Sequence, residues 1–203
     1  MGVTHSHTPF LPYTHTMTLG PHTFRQTIGL FATGVTVIAV EADGQVHGMT
    51  ANAVSSLSLD PMLALVCVGK QARLASLLVE AKGFSINILR DDQQALSTYF
   101  AGGWKETAPP PFRFLPWEGG PRLEGCAAAL GCALHQIVEG GDHWIVIGRM
   151  LALHQGMEPR QPLLFYGGRY GQLDTKESTP APDLGWVETP VQVFYDPWQE
   201  DTK

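Results

Sequence analysis

His47-Gly48-Met49-Thr50-Ala51-Asn52-Ala53-Val54-Ser55-Ser56-Leu57-Ser58-Leu59-Asp60-Pro61 crowds small and hydroxyl-bearing residues into a segment otherwise patterned as core strand. Small side chains let a ligand reach main-chain N–H groups, and Thr50, Ser55 and Ser56 each add a hydroxyl donor suited to phosphate oxygens. The segment therefore reads as backbone pressed against a bound anion. On residue types alone the plainer reading is the better one, because Ser and Thr also satisfy turns and strand ends. The rest of the chain has to shift that balance.

Working outward, strand character surrounds the segment. Gly34 to Val40 is rich in β-branched residues, and Asp43-Gly44 is a hairpin signal before a run from Gln45 to Ala51. Met62 to Val68 is apolar on both faces, as a buried strand is. Upstream, Phe24, Ile28 and Phe31 recur at i, i+4, i+7, which predicts a short amphipathic helix over 21–31. Downstream, Lys70 to Lys82 changes period and places Leu74, Leu77, Leu78 and Ala81 on one helical face. Phe84 to Leu89 is again a strand, and Asp91 to Phe100 a helix whose opening acids suit its positive end.

Gly102-Gly103, Trp104 and Pro109-Pro110-Pro111 mark an extended loop. Two long strand-like runs, Cys126 to Val138 and His143 to His154, flank Glu139-Gly140-Gly141-Asp142 and predict a hairpin with its tip at the glycines. Leu163 to Tyr170 supplies a last strand. Strands dominate and most are joined by hairpins, so the expected architecture is a mainly β, antiparallel barrel with a few covering helices. There are no internal repeats, and the absence of GxGxxG and P-loop patterns argues against a Rossmann dehydrogenase.

The 203 residues suit one domain, expected over 21–173 between an N-terminal arm (1–20) and a Pro-rich C-terminal extension (174–203). The arm carries His5, His7 and His15 at irregular spacing, which suits adventitious metal binding only; no metal site is expected. Charged residues make up only 16%, below the usual globular share, and this mildly supports an oligomer. A net charge of -6 argues against nucleic-acid binding and gives no attraction to anionic lipid. Cys67, Cys126 and Cys132 form no C-x-x-C and read as buried reduced thiols of a cytoplasmic protein. No apolar run is long enough for a membrane span, and the N-terminus carries no secretory signal.

The opening segment resembles the signature of the short-chain flavin reductases, proteins of the FMN-binding split-barrel class. Their pattern runs His-Gly-Met-Thr, a small residue, Asn, two Ser, then Ser-Leu-Asp-Pro-Pro. Four further stretches resemble the family in the same order: Phe31-Ala32-Thr33-Gly34-Val35-Thr36-Val37, Phe84-Ser85-Ile86-Asn87-Ile88-Leu89, Leu96-Ser97-Thr98-Tyr99-Phe100-Ala101 and Gly141-Asp142-His143. The resemblance spans about residues 24–173. Met62 departs from it where a second proline is usual, and Ala72 where a hydroxyl residue is common, which puts one phosphate contact in doubt.

The resemblance implies an antiparallel Greek-key split barrel, a homodimer, and an NAD(P)H:flavin oxidoreductase that supplies reduced flavin to a partner monooxygenase. It implies that Thr50, Ala51, Asn52, Ser55 and Ser56 line the ribityl and phosphate of FMN or FAD, with Lys70 and Arg73 supplying positive charge. A helix starting near Lys70 would add its own positive end. Thr33 is then a candidate for the isoalloxazine edge, and Phe100 for the aromatic beside it. Gly141, Asp142 and His143 become contacts to NADH or NADPH, with His143 the catalytic candidate because an imidazole can hydrogen-bond the nicotinamide amide or the flavin and can protonate reduced flavin.

Each of these has a plainer reading: a solvated first helical turn for Lys70 and Arg73, a helix-ending hydroxyl for Thr33, core filling for Phe100, a self-capping turn for His143. His135 and His154, on neighbouring strands without such a motif, read as structural. Tyr166 and Tyr170 close the ring pocket or pack at a dimer seam. The competing class is a flavin-binding electron carrier or sensor that takes no hydride from nicotinamide. Hydride passes directly between stacked rings, so the absence of a catalytic triad is no objection.

Overall fold

In a computed structural model, residues 18–156 and 161–173 are described. Pro21, placed where its missing N–H is no loss, starts α1 (Pro21–Ile28). Then come β1 (Thr33–Gly34), β2 (Thr36–Ala42), β3 (Gln45–Ala51), β4 (Val54–Leu59) and β5 (Met62–Gly69). They are followed by α2 (Arg73–Glu80), β6 (Gly83–Ile88), and a 3-10 turn (Asp91–Gln93) running into α3 (Gln94–Phe100). After the short β7 (Phe114–Leu115) and β8 (Arg122–Leu123) come the long β9 (Ala128–Gly140) and β10 (His143–Gln155), then β11 (Leu164–Tyr166) and β12 (Arg169–Gly171).

Seven of these strands form one antiparallel sheet in the order β3-β2-β6-β9-β10-β5-β4. Its two rims, β3 and β4, are consecutive in the chain and joined only by Asn52-Ala53. Three peptide steps reach roughly 11 Å. A flat seven-stranded sheet would hold those rims roughly 29 Å apart at about 4.8 Å per interval. The sheet must therefore curl until its rims approach, which is the expected barrel. No ladder closes β3 onto β4, so the barrel keeps a seam, while the bond from Cys67 N to Ala53 O at 2.9 Å carries the β4–β5 pairing one residue into the connection.

β2 is buried on both faces. Ile38 and Val40 join Val66, Val68, Phe84, Ile86 and Val146 in one cluster, into which α2 lays Leu74, Ala75 and Leu78. Val37 points the other way, to Leu89, Leu96, Leu123 and Leu163 beneath α3. Asn87, wholly buried between them, donates to Val37 O at 3.0 Å and accepts from Leu123 N at 2.8 Å. With no orphaned polar atom there, the polar residue registers β8 on β6 without a desolvation penalty.

Several sequence expectations are corrected. Leu163–Tyr170 is not one strand: Gly167 and Gly168 take φ of 57° and 77° and fold it into the β11–β12 hairpin. α2 starts at Arg73, so Lys70 lies in the preceding turn. β5 alternates rather than being buried on both faces, with Ala64, Val66 and Val68 inside and Met62 exposed. The helix over 21–31 ends at Ile28, and its apolar residues find no cover among the described residues: Phe24, Ile28 and Phe31 are all exposed. β4 carries strand geometry that its serines conceal. The extension 174–203 and the arm, apart from residues 18–20, lie outside the described residues, as do His5, His7 and His15. No helix among the described residues is long and apolar enough to cross a membrane.

Candidate active site

The seam collects the first group of candidates. Asn52 donates its side-chain N–H to Thr33 Oγ1 at 3.2 Å, so two residues separated in sequence meet beside the rim of the sheet. Thr36 Oγ1 donates to Ala51 O at 2.7 Å, which anchors the end of β3. Thr50 Oγ1 donates to Ser97 O at 2.7 Å and ties β3 to α3. The Thr50 proton is thereby committed to protein, leaving its oxygen lone pairs and its backbone for any ligand. Ser55 and Ser56 are exposed on β4, with Ser55 Oγ donating to Ser56 O at 2.9 Å.

A cleft of about 480 Å³ forms the second group, between β3, the start of α2 and the end of α3. It brings together Arg73 and Phe100, two sequence candidates, with Gly48 and Met49 of the opening segment. Phe100 packs edge-on against Tyr99 and Phe112, each at a centroid distance of 5.0 Å, and against Phe114 at 5.9 Å. Arg73 is exposed at the first helical position, with no acidic residue in that turn. Ala72 occupies the N-cap, and no side chain caps the first amides. This is what the missing hydroxyl at residue 72 means locally: Ala75 N donates to Ala72 O at 2.9 Å, and the Arg73 and Leu74 N–H groups are left to another acceptor. Thr33, Ser55, Ser56 and His143 do not line this cleft.

The third group sits on the β9–β10 hairpin. Gly141 takes φ of 69° at the tip, so the turn is Gly141-Asp142 rather than the two glycines. His143 Nδ1 lies 2.7 Å from Asp142 Oδ1. A carboxylate only accepts, so Nδ1 carries the hydrogen and Nε2 is left for a second partner. The neighbouring imidazole holds the exposed Asp142 carboxyl below its ordinary range. Lys70 N donates to Asp142 O at 3.0 Å, while Lys70 Nζ pairs with Glu139. That ammonium pulls the Glu139 carboxyl below its ordinary range. Sequence reasoning missed Glu139, whose only local signal is its place beside Gly140-Gly141.

β5 is the spine between the first and third groups. Ser55 stands opposite Leu65, Ala53 O accepts from Cys67 N, and His143 stands opposite Gly69. Leu65, Cys67 and Gly69 share one face by the period of two, so Ser55 and His143, on the two strands that flank β5, lie on that face too, roughly 16 Å apart. The two tyrosines also separate. Tyr170 OH bonds Ser97 Oγ at 2.8 Å and its ring meets Phe165 within the chain, whereas Tyr166 is exposed. His135 is exposed on β9, and half-buried His154 has its pKa lowered by burial. Among the described residues no three His, Cys, Asp or Glu side chains are grouped to hold a metal ion.

Residues 28–174 match the pattern of the flavin reductase like domain. The chain belongs to that family. This flavin reductase-like chain is 34% identical over 188 residues, 91% of its length and 92% of the relative's, to the reductase subunit HsaB of a flavin-dependent monooxygenase from Rhodococcus jostii (strain RHA1). The flavin reductase PheA2 matches it with a TM-score of 0.72 and 39% identity, over 76% of this chain and 99% of that one. The NADH:FAD oxidoreductase SgcE6 of Streptomyces globisporus, in complex with NAD and FAD fragments, matches with a TM-score of 0.71 and 32% identity, over 80% and 100%.

The residues of this flavin reductase fit the flavin that its family implies. The exposed Ser56 hydroxyl and Asn52 amide at the seam, and the exposed Arg73 guanidinium with the first amides of α2 at the cleft, are two separate groups of donors of the kind that a phosphate and a polyol chain accept. Phe100 offers an apolar wall.

Proposed function

We propose that this flavin reductase passes a hydride from NADH or NADPH to FMN or FAD and delivers the reduced flavin to a partner monooxygenase. In this reading Thr50, Ala51, Asn52, Ser55 and Ser56 hold the ribityl and phosphate, Arg73 neutralises the phosphate, Thr33 meets the isoalloxazine edge, and Phe100 walls the ring. Gly141, Asp142 and His143 receive the nicotinamide. The chemistry flavin supplies when bound is hydride acceptance at its ring. The chain supplies placement and water exclusion.

The observation that carries the assignment is the His143–Asp142 pair, 2.7 Å apart, on the face of β5 that also bears Ser55. Asp142 fixes the imidazole with Nδ1–H inward, so Nε2 of the neutral ring accepts a hydrogen bond from the nicotinamide amide N–H. The named relatives support NADH as the donor and a monooxygenase as the consumer, in that SgcE6 is an NADH:FAD oxidoreductase and HsaB a monooxygenase reductase subunit.

We read the active form as a homodimer. α1 has no buried residue, and Phe24, Ile28, Leu30 and Phe31 expose a contiguous stretch of large apolar side chains that a second copy would cover. The three free cysteines support a cytoplasmic setting. The deciding experiment is anaerobic absorbance of protein with FMN or FAD, adding NADH and then NADPH against an enzyme-free control. Rapid bleaching establishes the reaction and ranks the donors. Retained flavin without bleaching makes the chain an electron carrier or sensor instead.

A further inference from the structure

Lys70 grips both arms of the hairpin that carries His143. Beyond Gly69, where β5 ends, its main-chain N–H donates to Asp142 O at 3.0 Å on the β10 side. Its ammonium pairs with Glu139 on the β9 side and lies 4.8 Å from the centroid of the Trp144 ring. Trp144 is the register partner of Glu139, so ring, carboxylate and ammonium stack on one face, and His143 turns to the other beside Gly69. The Lys70 side chain is only 26% exposed, and its stem is packed rather than waving in solvent.

We propose that Lys70 and Glu139 form a positioning latch for the nicotinamide end of the site, and that Lys70 does not serve the flavin phosphate. The proposal rests on the reading of Asp142 and His143 as nicotinamide contacts. A partly exposed ion pair adds little to stability. Its effect here is geometric, because it sets the height of the Gly141-Asp142 tip over β5.

The test compares Glu139→Gln and Lys70→Met with the parent chain. Three quantities are read: the KM for NADH against kcat, the Kd for NAD⁺ and for FMN by titration, and hydrogen exchange across 139–146. The two substitutions change charge in opposite senses, so a field acting on an anionic ligand would move its affinity in opposite directions. The latch moves both the same way. Both variants should raise the NADH KM and the NAD⁺ Kd by roughly tenfold and speed exchange at the tip, with the FMN Kd held within about twofold. The charge-swapped pair Lys70→Glu with Glu139→Lys should recover much of the loss.

Opposite shifts in the two variants, or FMN binding weakened by Lys70→Met and tightened by Glu139→Gln, would overturn the latch and return Lys70 to the phosphate. Unchanged exchange at the tip overturns it whatever the activity. Failure of the parent chain to bleach flavin overturns the reductase reading instead.

Discussion

The ring of Phe100 lies so close to the backbone of Gly48 that a β-carbon on residue 48 would stand 2.7 Å from Phe100 Cε1 and 3.3 Å from Val37 Cγ1. The glycine of the opening segment is required by an aromatic ring of its own chain, and the ring in turn forms one wall of the cleft. Gly48→Ala should therefore push the ring outward and cost about 1–3 kcal/mol of stability. Phe100→Leu in the same chain should recover part of that loss. Chemical denaturation of the two single variants and the double variant measures the coupling, and additive losses would show that the contact is slack.

His143→Ala should slow hydride transfer by at least about tenfold while changing flavin affinity little. Anaerobic stopped-flow reduction gives the first quantity and flavin titration the second. An unchanged reduction rate removes His143 from the mechanism.

Asp142 and Glu139 titrate below their ordinary values of 3.8 and 4.5, the first chiefly through its bond with His143 and the second through Lys70. For a carboxyl depressed in the folded state, the stabilisation is present above the unfolded value and disappears as pH falls through the folded one. Tip contacts should thus persist through neutral and mildly acidic pH and loosen only below about 4. Carboxyl NMR titration checks this, with a built-in control: His143→Ala should return Asp142, and Lys70→Met should return Glu139, to the ordinary range.

Burial pushes the Cys132 thiol up to about 12 and also raises Cys126, while Cys67 is half-buried on β5. Neither Cys126 nor Cys132 should carry enough thiolate to alkylate in the folded protein near pH 8. Mass spectrometry after iodoacetamide should find both unmodified in the native protein and all three cysteines modified after unfolding.

Much of this fold is legible where local chemistry and tertiary demand agree. Asp43 and Gly44 take φ of 52° and 71°, the left-handed pair that the hairpin signal implies. Within β2 the run Val37 to Val40 is uninterruptedly apolar because both faces meet core there. Legibility fails where a strand serves the surface. β4 hides behind Ser55, Ser56 and Ser58 because it is a rim with little apolar burial to impose alternation. The helix starts only at Arg73 because Lys70 to Ala72 are taken up by the turn after β5, where Ala72 N donates to Gly69 O at 2.9 Å, and the composition around Lys70 cannot show that. In the site, residue types identify the candidates, but partners distant in sequence escape. Glu139 lies 69 residues from Lys70, and Ser97 accepts from Thr50 across 47. The first is a product of sheet register and the second of a helix laid on the sheet, and no local pattern contains either.

The unladdered seam between β3 and β4 has a consequence for how such a chain can diversify. Every other neighbouring pair in the curled sheet is locked by backbone hydrogen bonds, so its spacing cannot change without breaking a ladder. At the seam the rims are joined by the Asn52-Ala53 connection with no ladder between them. Substitutions there can widen or narrow the mouth without touching Ile38, Val66 or Phe84 in the interior. A mutational scan should accordingly find ligand preference and thermal tolerance varying independently at the seam, and rising or falling together at the interior strands.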